Sequence, residues 1–138
     1  KDAPFVDDWT PEDYKTLVRC LRRTCSSGGF VCAAFCEGEL KGFVSVERGL
    51  FGGDNRYFDL SSLHVSQELR GHGIGTRLLQ KARAWAREQG AKKLYISAHS
   101  AVESQAFYRA MGCVEAQMYH PVHVAQEPFD CQLELSCE

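Results

Sequence analysis

The sequence predicts an α/β (α+β) fold, a mixed and mostly antiparallel sheet flanked by helices. Three observations lead there. A strand–helix–strand unit fills the middle of the chain, at 57–65, 75–89 and 93–98, and such a unit joins parallel strands by a right-handed crossover. Ahead of it, two apolar runs flank the turn Glu37-Gly38-Glu39, which is hairpin patterning. Behind it, a second helical stretch is followed by two further strand-like segments. At 138 residues the chain fits a single domain, 1–138, long enough to bury a core without staples.

The elements follow in order. Asp7-Asp8-Trp9-Thr10-Pro11-Glu12-Asp13 reads as a helix start: Thr10 caps, Pro11 suits the first helical position, and acids fill the first turn. Tyr14, Leu17, Val18 and Leu21 then share one face, and Gly28-Gly29 ends the segment. Residues 30–35 and 40–47 are the hairpin strands. Residues 49–56 form a Gly-, Asp- and Asn-rich loop containing Phe51 and Gly52-Gly53, a candidate substrate lip. The third strand is 57–65. The helix 75–89 places Leu78, Leu79, Ala82, Trp85 and Ala86 at helical spacing and stops at Gly90. A strand at 93–98 and a helix at 102–111, ended by Gly112, come next. Residues 115–124 and 129–135 are expected as two closing strands, with Pro121 and Pro128 marking the interruption.

Composition narrows the function. A net charge of −2 gives no global attraction to nucleic acid or anionic lipid. No apolar run has the ~20 residues of a membrane span, and no signal peptide is visible. The seven cysteines are odd in number, lack a Cys-x-x-Cys pair and sit mostly among apolar residues. They read as reduced, structural thiols, so a cytoplasmic protein is expected. His120-x-x-His123 has metal-like spacing but no nearby third ligand, so no metal is expected. Arg70, Arg77, Lys81, Arg83 and Arg87, followed by Lys92 and Lys93, concentrate positive charge on one segment of an otherwise acidic chain.

That segment holds the informative motif, Leu63-His64-Val65-Ser66-Gln67-Glu68-Leu69-Arg70-Gly71-His72-Gly73-Ile74-Gly75-Thr76. A strand ends, three glycines alternate, and a long helix begins. The first-turn amides of a helix lack intrahelical partners and carry the positive end of its dipole. Glycines at 71, 73 and 75 let the backbone approach a bound anion closely. A Walker loop requires Gly-Lys-Ser/Thr, but Gly75 is followed by Thr76 and Arg77. A Rossmann turn requires Gly-x-Gly-x-x-Gly and an acid at the end of the next strand, where this chain has Ser97-Ala98-His99-Ser100. A nucleotide-binding protein of another class would prefer ATP or NAD.

Arg70-x-x-Gly73-x-Gly75, preceded by Leu63-x-Val65, resembles the acetyl-coenzyme A signature of the GNAT N-acetyltransferase superfamily. Ala106-Phe107-Tyr108-Arg109-Ala110-Met111-Gly112-Cys113 resembles that family's FY-x-x-x-GF helix end, with Cys113 replacing the usual aromatic. The likeness covers roughly residues 30–135; the family's first strand would lie upstream of Lys1.

The resemblance implies a sheet whose central parallel pair splays apart to admit the pantetheine arm. It implies main-chain contacts to that arm from Leu63 and Val65, with His64 between them and itself expected to be packed. It assigns the pyrophosphate to the turn Arg70, Gly71, His72, Gly73, Ile74, Gly75 and Thr76; Arg77 and Lys81 either reach the phosphates or form a solvated face. Ser100 stands where the family often has a cofactor-contacting Asn, and otherwise caps the following helix. Tyr108 matches the tyrosine that protonates the departing thiolate. The acceptor, a small-molecule or peptide amine, attacks the thioester directly, so no cysteine nucleophile is required. Many members carry a basic glutamate at the position of Ser61; in its absence the candidates are His99 first, then Glu103, Glu47 or water. The alternative is a non-catalytic acyl-CoA-binding module that has lost this chemistry. Residues 119–135 are a candidate wall of the acceptor site or a homodimer interface.

Overall fold

The computed structural model describes residues 19, 21–36, 38–66 and 73–137. The expected helix start at 7–13 and its face through Tyr14, Leu17 and Val18 lie outside these residues, as do Arg70, Gly71 and His72. Residues 21–26 are helical and lead into the first strand.

Six strands form one sheet: β1 (Phe30–Cys36), β2 (Glu39–Phe51), β3 (Tyr57–Val65), β4 (Lys93–Ala98), β5 (Val114–Glu115) and β6 (Cys131–Ser136), in the order β1-β2-β3-β4-β6-β5. Every neighbouring pair is antiparallel except β3 and β4. Helix α1 (Ile74–Glu88) is the crossover between these two, α2 (Val102–Ala110) follows β4, and α3 (Pro121–Gln126) precedes β6. The expected mixed sheet with a parallel pair at its centre is the fold.

The core lies between the sheet and α1. Leu78, Leu79, Ala82 and Ala86 of α1 are buried against Val44, Val46, Phe58, Leu60, Leu94 and Ile96 of the strands. Trp85 rides at the margin, its ring 5.4 Å from both Phe30 and Phe58. Helix α1 closes with the amide of Ala91 reaching back to the Ala86 carbonyl at 3.0 Å, and α2 closes with Cys113 N–H on the Tyr108 carbonyl at the same distance. Both are the six-to-one bonds of a helix stopped by glycine.

Two expectations are corrected. The strand expected at 40–47 runs on to Phe51, and the loop expected at 49–56 shrinks accordingly. Phe51 pairs with Tyr57, and their rings meet at 5.3 Å, which holds the extension to the sheet across its bulges. The closing strand expected at 115–124 is absent. A two-residue strand is followed by α3, because Pro121 is set for the first helical turn and Val124 N–H bonds back to His120. Of the first closing strand only the short β5 remains, while the second forms as β6.

Candidate active site

Strands β3 and β4 pair for three residues each, Tyr57 with Lys93, Phe58 with Leu94 and Asp59 with Tyr95. Both strands continue, β3 to Val65 and β4 to Ala98, without pairing further. A gap therefore opens inside the sheet beyond Asp59. The side of β3 that faces it follows from the pairing with β2. Ser66 N–H donates to Lys41 O at 2.7 Å, so by strand alternation the main chains of Val65 and Leu63 turn the other way, toward the gap. His64 turns its main chain to β2. Its side chain is buried, with the ring 5.7 Å from that of Phe43, the packed histidine that was expected.

The gap leads to the start of α1. Gly73 is the N-cap, with φ of 81°, a conformation that favours glycine. The first helical bond runs from Arg77 N–H to Gly73 O at 3.1 Å. The amides of Ile74, Gly75 and Thr76 precede it and have no partner within the helix, at its positive end and with no acid in the first turn. The glycines divide their work. A Cβ on Gly73 would meet nothing within 4 Å, whereas one on Gly75 would stand 3.3 Å from the Phe107 ring and 3.6 Å from Val65. Gly75 is small so that α1 can begin against α2, a reason separate from the ligand approach expected for it. Arg77 and Lys81 are exposed.

Tyr108 is the buried residue of α2, only 2% exposed and edge-on to Phe107. It shares a core cluster with Leu63, and Val65, Ile74 and Phe107 pack against the same cluster. The motif around 63–76 and the one around 106–113 are thus brought together at one end of the sheet.

Ser100 is exposed and does not cap α2; Ala101 holds the cap position, without a side-chain bond. His99 fastens the helix start instead: Ala101 N–H donates to its Nδ1 at 3.0 Å, and Gln105 donates to its carbonyl at 2.8 Å. The nitrogen that would act as a base is therefore occupied. Glu103 is exposed in the first turn of α2.

The opposite face of the sheet is polar and aromatic. Ser61 donates to Glu47 Oε2 at 2.6 Å and Thr24 donates to the same oxygen at 2.8 Å, while the Ser45 and Ser61 hydroxyls are 2.7 Å apart. The position lacking a glutamate is thus occupied by a serine bonded to the carboxylate of the neighbouring strand. At the apex of the gap, His123 Nε2 lies 2.9 Å from Asp59 Oδ2, and the His123 ring stacks on Tyr95. The Tyr95 hydroxyl donates to Gln132 and accepts the His120 amide. Beside it, Tyr57 donates to Glu134 Oε1 at 2.5 Å, and Lys93 pairs with Glu134 Oε2 at 2.8 Å. Burial, reinforced by that carboxylate, pushes the Tyr57 phenol up to about 12. Burial alone would raise the Glu134 carboxyl; the bonds from Lys93, Tyr57 and the Gln117 amide outweigh it and hold the group below the ordinary glutamate value.

The Asp59–His123 pair was not foreseen. The signal was an acid inside the apolar run Tyr57-Phe58-Asp59-Leu60. His120 and His123 belong with it: their rings lie 4.6 Å apart. Among the described residues no group of three or more His, Cys, Asp or Glu is arranged to hold a metal, and no helix is long and apolar enough to cross a membrane.

Residues 2–113 match the model of the acetyltransferase (GNAT) family. No curated protein matches the chain. Among solved structures, a GNAT-family acetyltransferase from Staphylococcus aureus Mu50 is 21% identical, with a TM-score of 0.71 over 95% of this chain and 82% of that one. A GNAT acetyltransferase from Elizabethkingia anophelis with acetyl-CoA bound is 17% identical, with a TM-score of 0.63 over 96% and 94%. The ribosomal-protein-alanine N-acetyltransferase from Brucella melitensis is 25% identical, with a TM-score of 0.64 over 90% and 78%. A family match across most of the chain, on a sheet that parts between its parallel strands, identifies this chain as a member of the GNAT family of acetyltransferases.

Proposed function

We propose that this enzyme binds acetyl-CoA in the gap between β3 and β4 and transfers its acetyl group to a primary amine, on a small molecule or a peptide, by direct attack. The observation that carries the proposal is the early end of the β3–β4 pairing, from which one strand edge leads to the uncapped amides of α1.

The residues present suit that ligand. The main chains of Leu63 and Val65 face the gap and align the pantetheine arm as a neighbouring strand would. The amides of Ile74, Gly75 and Thr76, with Gly73 and the preceding Arg70, Gly71 and His72, hold the pyrophosphate. Ser100 borders the same end of β4. Bound there, acetyl-CoA supplies an acyl thioester, which an amine attacks without an acyl-enzyme. Tyr108 gives its proton to the sulfur as the thiolate leaves.

Thiol release from acetyl-CoA across a panel of polyamines, aminoglycosides, amino acids and peptides tests the activity, with Tyr108→Phe alongside. The expected result is turnover of at least one amine and a loss of about a hundredfold or more in the variant, with acetyl-CoA affinity retained. Coenzyme A binding without turnover of any amine leaves a binding module in place of an enzyme. Unchanged turnover in Tyr108→Phe removes that residue from the mechanism.

A further inference from the structure

We propose that His123, oriented by Asp59, is the base that takes the proton from the acceptor amine; the proposal rests on the acetyl-transfer function above.

Asp59 is the last residue of β3 to pair with β4, so it marks the apex of the gap. It alternates with Phe58 and Leu60, whose side chains enter the core under α1. Asp59 therefore stands on the opposite face, away from α1, where α3 brings His123 to it. That helix lies in the segment 119–135, expected to be either a wall of the acceptor site or a dimer interface. Both side chains remain 18% exposed, within reach of solvent and substrate.

The hydrogen bond sets the tautomer. An ionised carboxylate only accepts, so Nε2 of His123 carries the hydrogen and the lone pair of the neutral ring lies on Nδ1. The described residues supply no partner for Nδ1. The ring is held flat on Tyr95, at 5.9 Å between centroids and 17° between planes. Oδ1 of Asp59 is buried with no hydrogen-bond partner among the described residues, as is Nδ1 of His120. The groups facing His123 are Asp59 from β3, Tyr95 from β4 and His120 from its own segment. Two of the other candidate bases are engaged: His99 Nδ1 accepts the Ala101 amide, and Glu47 Oε2 accepts two hydroxyls; Glu103 is exposed on α2.

The step balances as follows. The acceptor's ammonium passes one proton to His123 Nδ1, which releases it to solvent. The freed lone pair forms the N–C bond while the C–S bond breaks. Tyr108 gives its proton to the departing sulfur, and the second proton leaves nitrogen as the amide forms and restores Tyr108 by way of solvent, giving the amide, the free thiol and the one proton released by His123.

The pH profile of kcat/KM with the best amine of the panel tests this in the full chain. Wild type should lose activity along an acid limb. His123→Gln should lack that limb, lose about a hundredfold or more in kcat, keep its acetyl-CoA affinity, and regain activity with added imidazole. Asp59→Asn should keep the limb but move it to lower pH, because the imidazolium has lost its counter-charge. This second variant serves as the test if His123→Gln does not fold. An acid limb intact in His123→Gln, or unmoved in Asp59→Asn, or abolished instead by Glu47→Gln, overturns the proposal. A wild type that acetylates no amine would falsify the acetyl-transfer function itself, an outcome distinct from an active enzyme indifferent to His123.

Discussion

The two faces of the sheet are built by different rules. Under α1 and α2 the strands present Val44, Val46, Phe58, Leu60, Leu94 and Ile96, a hydrocarbon surface in which volume and shape decide what fits. Across the same strands, Tyr57, Asp59, Ser61, Tyr95 and Glu134 meet hydroxyl, imidazole, amide and ammonium partners. There, pairing decides. The first face accepts apolar exchange only at matched volume and penalises any polar group; the second depends on every polar group keeping its partner. The described residues proposed to bind the cofactor sit at the end of the first, and the proposed proton acceptor on the second, so binding and proton removal should be separable by mutation.

The sharpest way to break that separation is to crowd the helix face. Gly75→Leu would drive a side chain into Phe107 and Val65, the nearer only 3.3 Å from a bare Cβ. It should weaken acetyl-CoA binding by more than tenfold in calorimetry and cost about 1–3 kcal/mol of stability. Phe107→Ala in the same chain should restore part of both. Retention of full affinity in Gly75→Leu would mean that α1 need not start against α2.

A middle-sized effect is expected on the polar face. Glu134→Gln removes the charge that binds Lys93 and Tyr57, and should cost about 2 kcal/mol at neutral pH in urea unfolding. The carboxyl is held below its ordinary value when folded, so its stabilisation is present above that value and is lost as pH falls through the depressed one. The gap between wild type and Glu134→Gln should therefore narrow in acid. A gap that widens there would reverse the sign of the coupling.

The smallest effect is one of reactivity. Burial pushes the thiols of Cys113 and Cys137 up to about 12 and about 11, with a weaker opposite pull from Arg83 on both and from Arg87 on Cys137. In native protein at pH 8, iodoacetamide should label exposed Cys25 and spare both until denaturant is added, as peptide mass spectrometry would show. Early labelling of Cys113 would show that the packing around Tyr108 opens readily.

The helix face was also the more legible one. The bounds expected for β3 and β4 are those found, and α1 is displaced by one residue, because alternating and helical periods are local properties and Gly90 is a local stop. The gap came from resemblance; no spacing within 57–65 announces that pairing ends at Asp59. The polar face resisted for a physical reason. Asp59 and His123 are 64 positions apart, and neither carries a period that points to the other. His120-x-x-His123 suggested a ligand pair because spacing was all it offered; the partner that gives His123 its orientation lies on a strand. Helix α3 was misread because Pro121 serves equally as an interruption and as a helix start, and the bond from Val124 to His120 chooses between them.

The sheet that parts after Asp59 has a boundary in its interior, where most sheets have theirs at the perimeter. Perimeter strands are usually defended against foreign strands by charge, proline or covering loops. An inner boundary is flanked on both sides by the sheet's own strands. A ligand arm carrying its own amide groups would then serve as a removable strand. Saturating acetyl-CoA should raise the melting temperature in proportion to the logarithm of its concentration, and slow hydrogen exchange first at Leu63 and Val65, so that the sheet is completed only when its substrate is in place.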